Sequence, residues 1–182
     1  MKNKLLGCGL AMAMASGTAM AAPPPVDYWG AGLGFLQVTN LDNGMSLVAN
    51  AGKAMPDIHK NFSVEGEFTY SLSPASKGDS ILKIESSLMS LGGYGVYTHE
   101  INRELSVRGR AGLNYNSAEN KTTGSACGLA FVICPSGSES KIELGFGVGA
   151  SYQVNKGMAA TFNYTKMNSD STMIAFGVKM DM

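Results

Sequence analysis

Apolar and polar residues alternate one by one through most of the chain after residue 27. In the clearest segment, Phe62, Val64 and Phe68 fall on one face, whereas the alternate positions carry Ser, Glu and Thr. A period of two is typical of a β-strand with one apolar and one polar face. The pattern predicts eight strands, over residues 28–35, 45–54, 62–72, 81–98, 105–115, 142–154, 158–165 and 174–182.

Two of these segments are less regular than the rest. Residues 45–54 are small and weakly patterned, so the sequence does not fix which of their side chains share a face. Residues 81–98 are long and carry apolar residues at several spacings. For this segment we assign to the apolar face Leu82, Ile84, Leu88, Tyr94 and Val96.

The predicted connections alternate between short and long along the chain. An even strand count, with short turns at one end of the sheet and long loops at the other, is typical of outer-membrane barrels. The sequence therefore predicts an all-β fold, an eight-stranded antiparallel up-and-down transmembrane β-barrel. One end of the predicted sheet carries the short connections, residues 55–61, 99–104 and 155–157. The other end carries residues 39–44, 73–80, 116–140 and 167–171, which include the 25-residue segment.

The distribution of aromatic residues indicates that the apolar face points outward into lipid. We place 12 of the 15 aromatic residues on that face, several of them near strand ends. Aromatic girdles of this kind lie at the two lipid interfaces of a membrane barrel. The predicted girdles are Trp29, Phe62 and Tyr152 at one rim, and Tyr70, Tyr115 and Tyr164 at the other; the remaining members of the face are Phe35, Phe68, Tyr94, Phe146, Phe162 and Phe176.

The polar face is rich in Gly, Ser, Thr and Asn and carries charges of both signs. The interior of an eight-stranded barrel is just wide enough for side chains to fill, and small residues relieve crowding there. Enclosed charges are retained when they are paired and hydrogen-bonded. We therefore predict an interior ionic network with one group formed by Glu65, Glu67, Arg108 and Arg110, and a second group formed by Lys83, Glu85, Lys141 and Glu143.

The first 21 residues have the features of a secretory signal peptide. A basic start is followed by an 11-residue apolar and small-residue run, and Ala19-Met20-Ala21 supplies the cleavage pattern. The expected domains are a signal peptide, residues 1–21, and a barrel, residues 22–182. Two cysteines remain after cleavage, and an oxidising compartment favours a disulfide between Cys127 and Cys134 over a metal site.

Charge and composition limit the classes of partner that the chain is expected to bind. The chain has equal numbers of basic and acidic residues and only 15% charged residues, which argues against nucleic-acid binding. No motif indicates a cofactor or a metal. The expected partners are outer-membrane lipid and lipopolysaccharide, with a monomeric chain.

With these features the chain resembles the small outer-membrane β-barrel family of Gram-negative bacteria, which includes OmpX and the transmembrane domain of OmpA. The resemblance rests on residues 28–34, on residues 64–68 and on the last strand. It implies a location in the Gram-negative outer membrane and a C-terminal signal read by the barrel-assembly machinery. Gly177, Met180 and Met182 occupy the signal positions, although Met182 replaces the usual terminal aromatic residue.

Several functions are compatible with such a barrel. Catalysis is not expected, because His59 and His99 fall in predicted periplasmic turns and no Ser on the outer rim has a His at matching height. The favoured interpretation is a structural or surface-interaction role, adhesion or binding, with a partner contacted through residues 116–140. The alternatives are a narrow porin-like channel and a soluble periplasmic lipocalin-like barrel that would hold a ligand against its apolar face.

Overall fold

The computed structural model describes residues 26–39, 41–128 and 134–182, and the predicted signal peptide lies outside these residues. Nearly all of the described chain is β-strand. The elements are β1 (Tyr28–Val38), β2 (Gly44–Ala54), β3 (Phe62–Ser73), β4 (Ala75–Gly78), β5 (Lys83–Glu100), β6 (Leu105–Thr123), a 3₁₀ turn (Ser125–Gly128), β7 (Ser136–Asn155), β8 (Met158–Lys166) and β9 (Ser171–Asp181).

The strands form a closed eight-stranded antiparallel barrel, as predicted. Both β3 and β4 pair with β5, so they act as one barrel strand that is interrupted at Pro74. Proline has no N–H to donate to the ladder, which explains an interruption at this position. The first and last strands close the barrel, with Tyr28 opposite Asp181 and Val38 opposite Ser171.

The two rims of the barrel differ. We call the turn end the rim that carries the start of β1, the end of β9 and the short turns after β2, β5 and β7. The loop end is the opposite rim, with the connections after β1, β4, β6 and β8. Outward side chains are mostly apolar and exposed, for example Leu33, Leu144 and Phe176, whereas the alternate positions are buried inside. This orientation agrees with the prediction from the aromatic residues.

One predicted loop is largely strand. Residues 116–140 were expected to form a long loop, but β6 continues to Thr123 and β7 begins at Ser136. Part of the predicted loop 73–80 is likewise strand β4. The alternation is lost beyond the barrel wall because both faces of the sheet meet water there, so these strands lack the pattern on which the prediction depended.

The face assignment of β5 was wrong, because the assigned residues of this strand, Ile84 included, lie at even positions and the odd positions point outward. Leu88, Tyr94 and Val96 point into the barrel and are almost fully buried, whereas Leu91 and Tyr97 point outward. Tyr94 is therefore not part of the lipid-facing aromatic set. Both faces of this strand carry apolar residues, so period two alone did not distinguish the inner face from the outer one.

Among the described residues, no helix is long and apolar enough to cross a membrane.

Candidate functional site

Four charged residues meet inside the barrel near the turn end. Glu65 and Glu67 lie on β3, and Arg108 and Arg110 lie on β6, with β5 between the two strands. Arg108 Nη1 is 3.0 Å from Glu65 Oε2, and Arg110 Nη1 is 3.1 Å from Glu65 Oε1 and 2.6 Å from Glu67 Oε2. All four residues are buried. Two carboxylates face two guanidinium groups, so the cluster is formally neutral.

Neutral side chains complete this cluster, and sequence reasoning missed them. Asn163 on β8 accepts two hydrogen bonds from Arg108, at 2.9 Å from Nε and 2.6 Å from Nη2. Thr165 Oγ1 accepts from Arg110, and the Tyr28 hydroxyl donates to Glu65. The Arg110 guanidinium also lies over the Tyr94 ring, 4.4 Å from its centroid. Burial of charge is tolerated because most of the polar atoms have partners.

The arginine side chains need room that glycine provides. A Cβ atom built on Gly149 would overlap the Asn163 amide oxygen and lie 3.2 Å from Arg108 Nε. On the neighbouring strand, Gly109 faces outward and has no atom within 4 Å of the equivalent position. The added atom would also lie 2.7 Å from the Phe162 backbone carbonyl oxygen. The interior glycine is therefore required by packing against Asn163 and the backbone of β8, whereas the exterior one is not.

The structure does not bring the second predicted ionic group together. Lys83 pairs with Glu85 of its own strand, at 2.9 Å, and Lys141 pairs with Glu139, at 2.8 Å. Glu143 instead accepts a 3.3 Å hydrogen bond from Asn116 Nδ2. Lys83 and Glu85 occupy odd positions of β5, which point to the outside, so they cannot meet residues that face the lumen.

Apolar residues fill the lumen toward the loop end. They sit on the inner face of several strands and are almost completely buried, although inner positions of such a barrel are usually polar. Sequence reasoning missed this feature because apolar residues also occupy the outer positions beside the inner ones, as Leu47 does beside Val48 and Phe176 beside Ala175, so alternation did not mark the inner residues. The cluster comprises Leu36, Val48, Leu88, Met167, Met173 and Ala175, with Val38 and Ala118 packed against it.

Little space remains between these two clusters. A cavity of about 20 Å³ is lined by residues that include Asn50, Asn163 and Gly177. Such a volume holds about one water molecule. The described interior is therefore packed with side chains along its length, first with paired charges and then with apolar groups.

The predicted girdle residues all have their side chains on the outer face. Trp29, Tyr152, Tyr70, Tyr115 and Tyr164 are exposed. Phe62 is half-buried because its ring covers Gly95 of the neighbouring strand β5. The Tyr152 hydroxyl donates a 2.9 Å hydrogen bond to Glu104 at the turn end. Tyr97, which the sequence analysis did not include, is a further exposed aromatic residue on this face.

The C-terminal strand closes the barrel against β1. Gly177 lies opposite Gly32, where an added Cβ would lie only 2.6 Å from the Ala31 carbonyl oxygen. Met180 and Met182 are exposed on the outer face. The predicted assembly signal thus presents its two methionines outward, beside Trp29, and its glycine at a tight strand contact.

Cys127 and Cys134 form a disulfide, with their Cα atoms 5.5 Å apart. It closes the connection between β6 and β7 at the loop end. Residues 129–133, which belong to the loop predicted over residues 116–140, lie outside the described residues.

Both histidines lie at or near the turn end. His59 Nδ1 accepts a hydrogen bond from the Asn61 N–H, and the His59 ring packs against Tyr97. His99 lies in β5, opposite Val107 of β6. No group of three His, Cys, Asp or Glu side chains that could hold a metal ion occurs within the described part of the chain.

Comparisons with known proteins agree with this architecture. Residues 6–180 match the family model of the outer membrane protein beta-barrel domain. Neisserial surface protein A has 20% identity and a TM-score of 0.63, with 85% of this chain and 96% of that chain covered. A major outer membrane protein from Thermus thermophilus has 11% identity and a TM-score of 0.60, with 85% of this chain and 99% of that chain covered.

Ail, the attachment invasion locus protein of Yersinia pestis, has 14% identity and a TM-score of 0.51, with 85% of this chain and 93% of that chain covered. No curated protein matches the chain. Identities this low show a shared fold, whereas the match to the family covers most of the chain. The protein is located in the Gram-negative outer membrane, and the chain belongs to the outer membrane protein β-barrel family.

Proposed function

We propose that this protein is a surface-interaction barrel that contacts an external partner through the β6–β7 hairpin. The observation that carries the proposal is the length of the hairpin. Pairing of β7 with β8 stops at Phe146, whereas pairing of β6 with β7 continues as far as Lys121 opposite Ser136. Strand formation that extends beyond the barrel wall costs conformational entropy without contributing to the wall, which supports a role outside the membrane.

The hairpin belongs to a small sheet above the loop end. We define the outer sheet as β4 with residues 83–88 of β5, 116–123 of β6 and 136–145 of β7. In this sheet the edge of β7 has no strand partner among the described residues. Most side chains of residues 136–142 are exposed. A partner would therefore meet a preformed surface.

The connections at the top of the outer sheet are ordered by hydrogen bonds. Ser125 N donates to the Ser80 carbonyl oxygen, at 3.1 Å, and joins the β6–β7 connection to the β4–β5 turn. In that turn the N–H groups of Ile81 and Leu82 donate to the Asp79 carboxylate and hold its pKa below the ordinary value. A fixed surface loses less entropy on binding than a mobile one.

The filled lumen does not favour the channel alternative, since side chains occupy the described interior from one rim toward the other. The soluble lipocalin-like alternative is wrong, because the apolar face points outward and the protein is located in the outer membrane.

The proposed role is non-catalytic. The proposed environment is lipid and lipopolysaccharide around a monomeric barrel, inserted by the barrel-assembly machinery.

The proposal is tested with a shortened hairpin. Replacing residues 122–135 by Asn-Gly joins Lys121 to its strand partner Ser136 through a two-residue turn. We expect the variant to fold and to retain its heat-dependent shift on a detergent gel. Binding of nanodisc-embedded protein to epithelial cell monolayers should fall to the level of empty nanodiscs.

The matched control is Ser73→Ala, which lies at the loop end of β3, outside the hairpin. This control should bind as the wild-type protein does. Equal binding by the shortened and wild-type proteins, or wild-type binding no higher than that of empty nanodiscs, would contradict the proposal.

A further inference from the structure

The lumen opens at the loop end into a cavity of about 120 Å³, which we call the mouth cavity. Its floor is apolar, formed by Val38, Leu88 and Ala118, the upper part of the interior apolar cluster. Its wall is polar and is contributed by β5, β6, β7, the β8–β9 connection and the first residue of β9. The polar lining comprises Ser86, Asn116, Glu139, Lys141, Glu143, Asn168, Asp170 and Ser171.

The charge of this wall is negative. Lys141 is engaged with Glu139, at 2.8 Å, so these two side chains neutralise each other. Glu143 and Asp170 have no basic partner within 4 Å among the described residues. Two carboxylates on one small cavity attract a cation.

A buried amide oxygen points to the same kind of ligand. Asn116 is 4% exposed and lines the mouth cavity. Its Nδ2 donates to Glu143 and to the Met167 carbonyl oxygen, but its Oδ1 has no hydrogen-bond partner among the described residues. A buried acceptor without a partner is costly, and a ligand N–H group would satisfy it.

We propose that the mouth cavity binds a small aliphatic amine, and that a diamine fits it best. One ammonium group donates to Glu143 and Asn116 Oδ1, the second reaches Asp170, and the methylene chain lies on Val38, Leu88 and Ala118. An ammonium group supplies three N–H donors and a positive charge. The ammonium group of the wall, Lys141, is paired with Glu139, so a ligand ammonium group would balance the remaining carboxylates. The cavity is lined at the base of the β6–β7 hairpin by Asn116, Glu139 and Glu143, which remain in place when residues 122–135 are replaced.

The chemistry of the wall favours an organic cation over a metal ion. The described residues contain no cluster of three metal-ligating side chains, and Asn116 is a neutral ligand beside an apolar floor. A hydrated metal ion would gain nothing from Leu88 and Val38, whereas a methylene chain would bury its surface there.

The test uses the refolded full chain in nanodiscs and 1,5-diaminopentane as the probe. Calorimetric titration should show saturable binding, and 1,5-pentanediol, which has the same chain without charge, should not bind. Glu143→Gln should weaken the diamine at least about tenfold, because a charge-assisted hydrogen bond is lost. Asp170→Asn should also weaken binding of the diamine.

The matched control is Glu119→Gln on the same hairpin, whose carboxylate faces outward and pairs with Lys121 at 2.9 Å. Its affinity should equal that of the wild-type protein, and all variants should keep their heat-dependent gel shift. The proposal is overturned if the diamine does not bind, if Glu143→Gln leaves the affinity unchanged, or if pentanediol binds equally. Tighter binding of magnesium chloride or of a lysine-containing peptide than of the diamine would also overturn it.

Discussion

The two ends of the lumen are filled in different ways. Near the turn end, Glu65 and Glu67 meet Arg108 and Arg110, and each charge is opposed by another. Toward the loop end, the same wall encloses apolar side chains, with Leu36 and Met173 almost completely buried. Alternation thus determines which side chains face the lumen but not whether they are charged or apolar. The residue type at each inner position decides whether ion pairs or apolar contacts fill the space.

The ionic and the apolar cluster should lose stability for different reasons when one side chain is replaced. An ion pair that loses one partner leaves a charge buried and unpaired, whereas an apolar cluster that loses a side chain leaves a cavity. Three variants test this difference, from the largest expected effect to the smallest. Unfolding is followed in lipid vesicles by urea titration, with the fluorescence of Trp29, the single tryptophan, as the signal.

The largest effect is expected from Arg110→Met. The substitution keeps an unbranched stem but removes the guanidinium group and leaves Glu67 without its cation, which should lower the free energy of unfolding by roughly 3–5 kcal/mol. Lys121→Met is the control, because Lys121 pairs with Glu119 at the exposed surface and should contribute little. Equal losses in the free energy of unfolding for Arg110→Met and Lys121→Met would show that burial of an ion pair does not determine the cost of breaking it.

A smaller effect is expected from Leu36→Ala at the loop end. Leu36 is 0% exposed, and its truncation should cost about 3 kcal/mol through lost burial and the cavity that remains. Leu33→Ala on the same strand is the control. Leu33 faces lipid, which can fill the vacated space, so the loss should be smaller. A loss as large for Leu33 as for Leu36 would contradict an apolar cluster sealed inside the lumen.

The smallest of the three effects is expected from Gly149→Ala. The new methyl group would displace Asn163 or Arg108, at a cost of about 2 kcal/mol. Gly109→Ala places the same methyl group on the outer face, where no atom lies within 4 Å. That control should be neutral in the same urea titration. A neutral result for Gly149→Ala would mean that the ionic cluster has room to shift.

Much of this arrangement is readable from the sequence. The alternation that contains Phe62, Val64 and Phe68 gave the right outer face, and the carboxylates and guanidinium groups of β3 and β6 were recognisable as interior charges. Tyr94 was misassigned because both faces of β5 carry apolar residues. Asn163 and Thr165 were missed because a neutral polar residue on an inner face has no feature that marks it as a partner of an arginine.

The outer sheet and the mouth cavity were the least predictable parts. Beyond the wall, both faces of a strand meet water, so β6 and β7 lose the period that identifies strands within the membrane. The orphaned oxygen of Asn116 depends on where β5, β7 and the β8–β9 connection converge. Pairwise alternation along one strand carries no information about such a convergence.

The uncovered edge of β7 also bears on aggregation. A row of unpaired backbone groups is a template on which another chain can add a strand, and proteins protect such edges with charged side chains, above all lysine. Glu139, Lys141 and Glu143 occupy alternate positions along this edge, and Gly137, which precedes them, is of a type that forms strands poorly. The sequence of β7 therefore disfavours growth of the sheet into neighbouring copies, although the edge itself remains open.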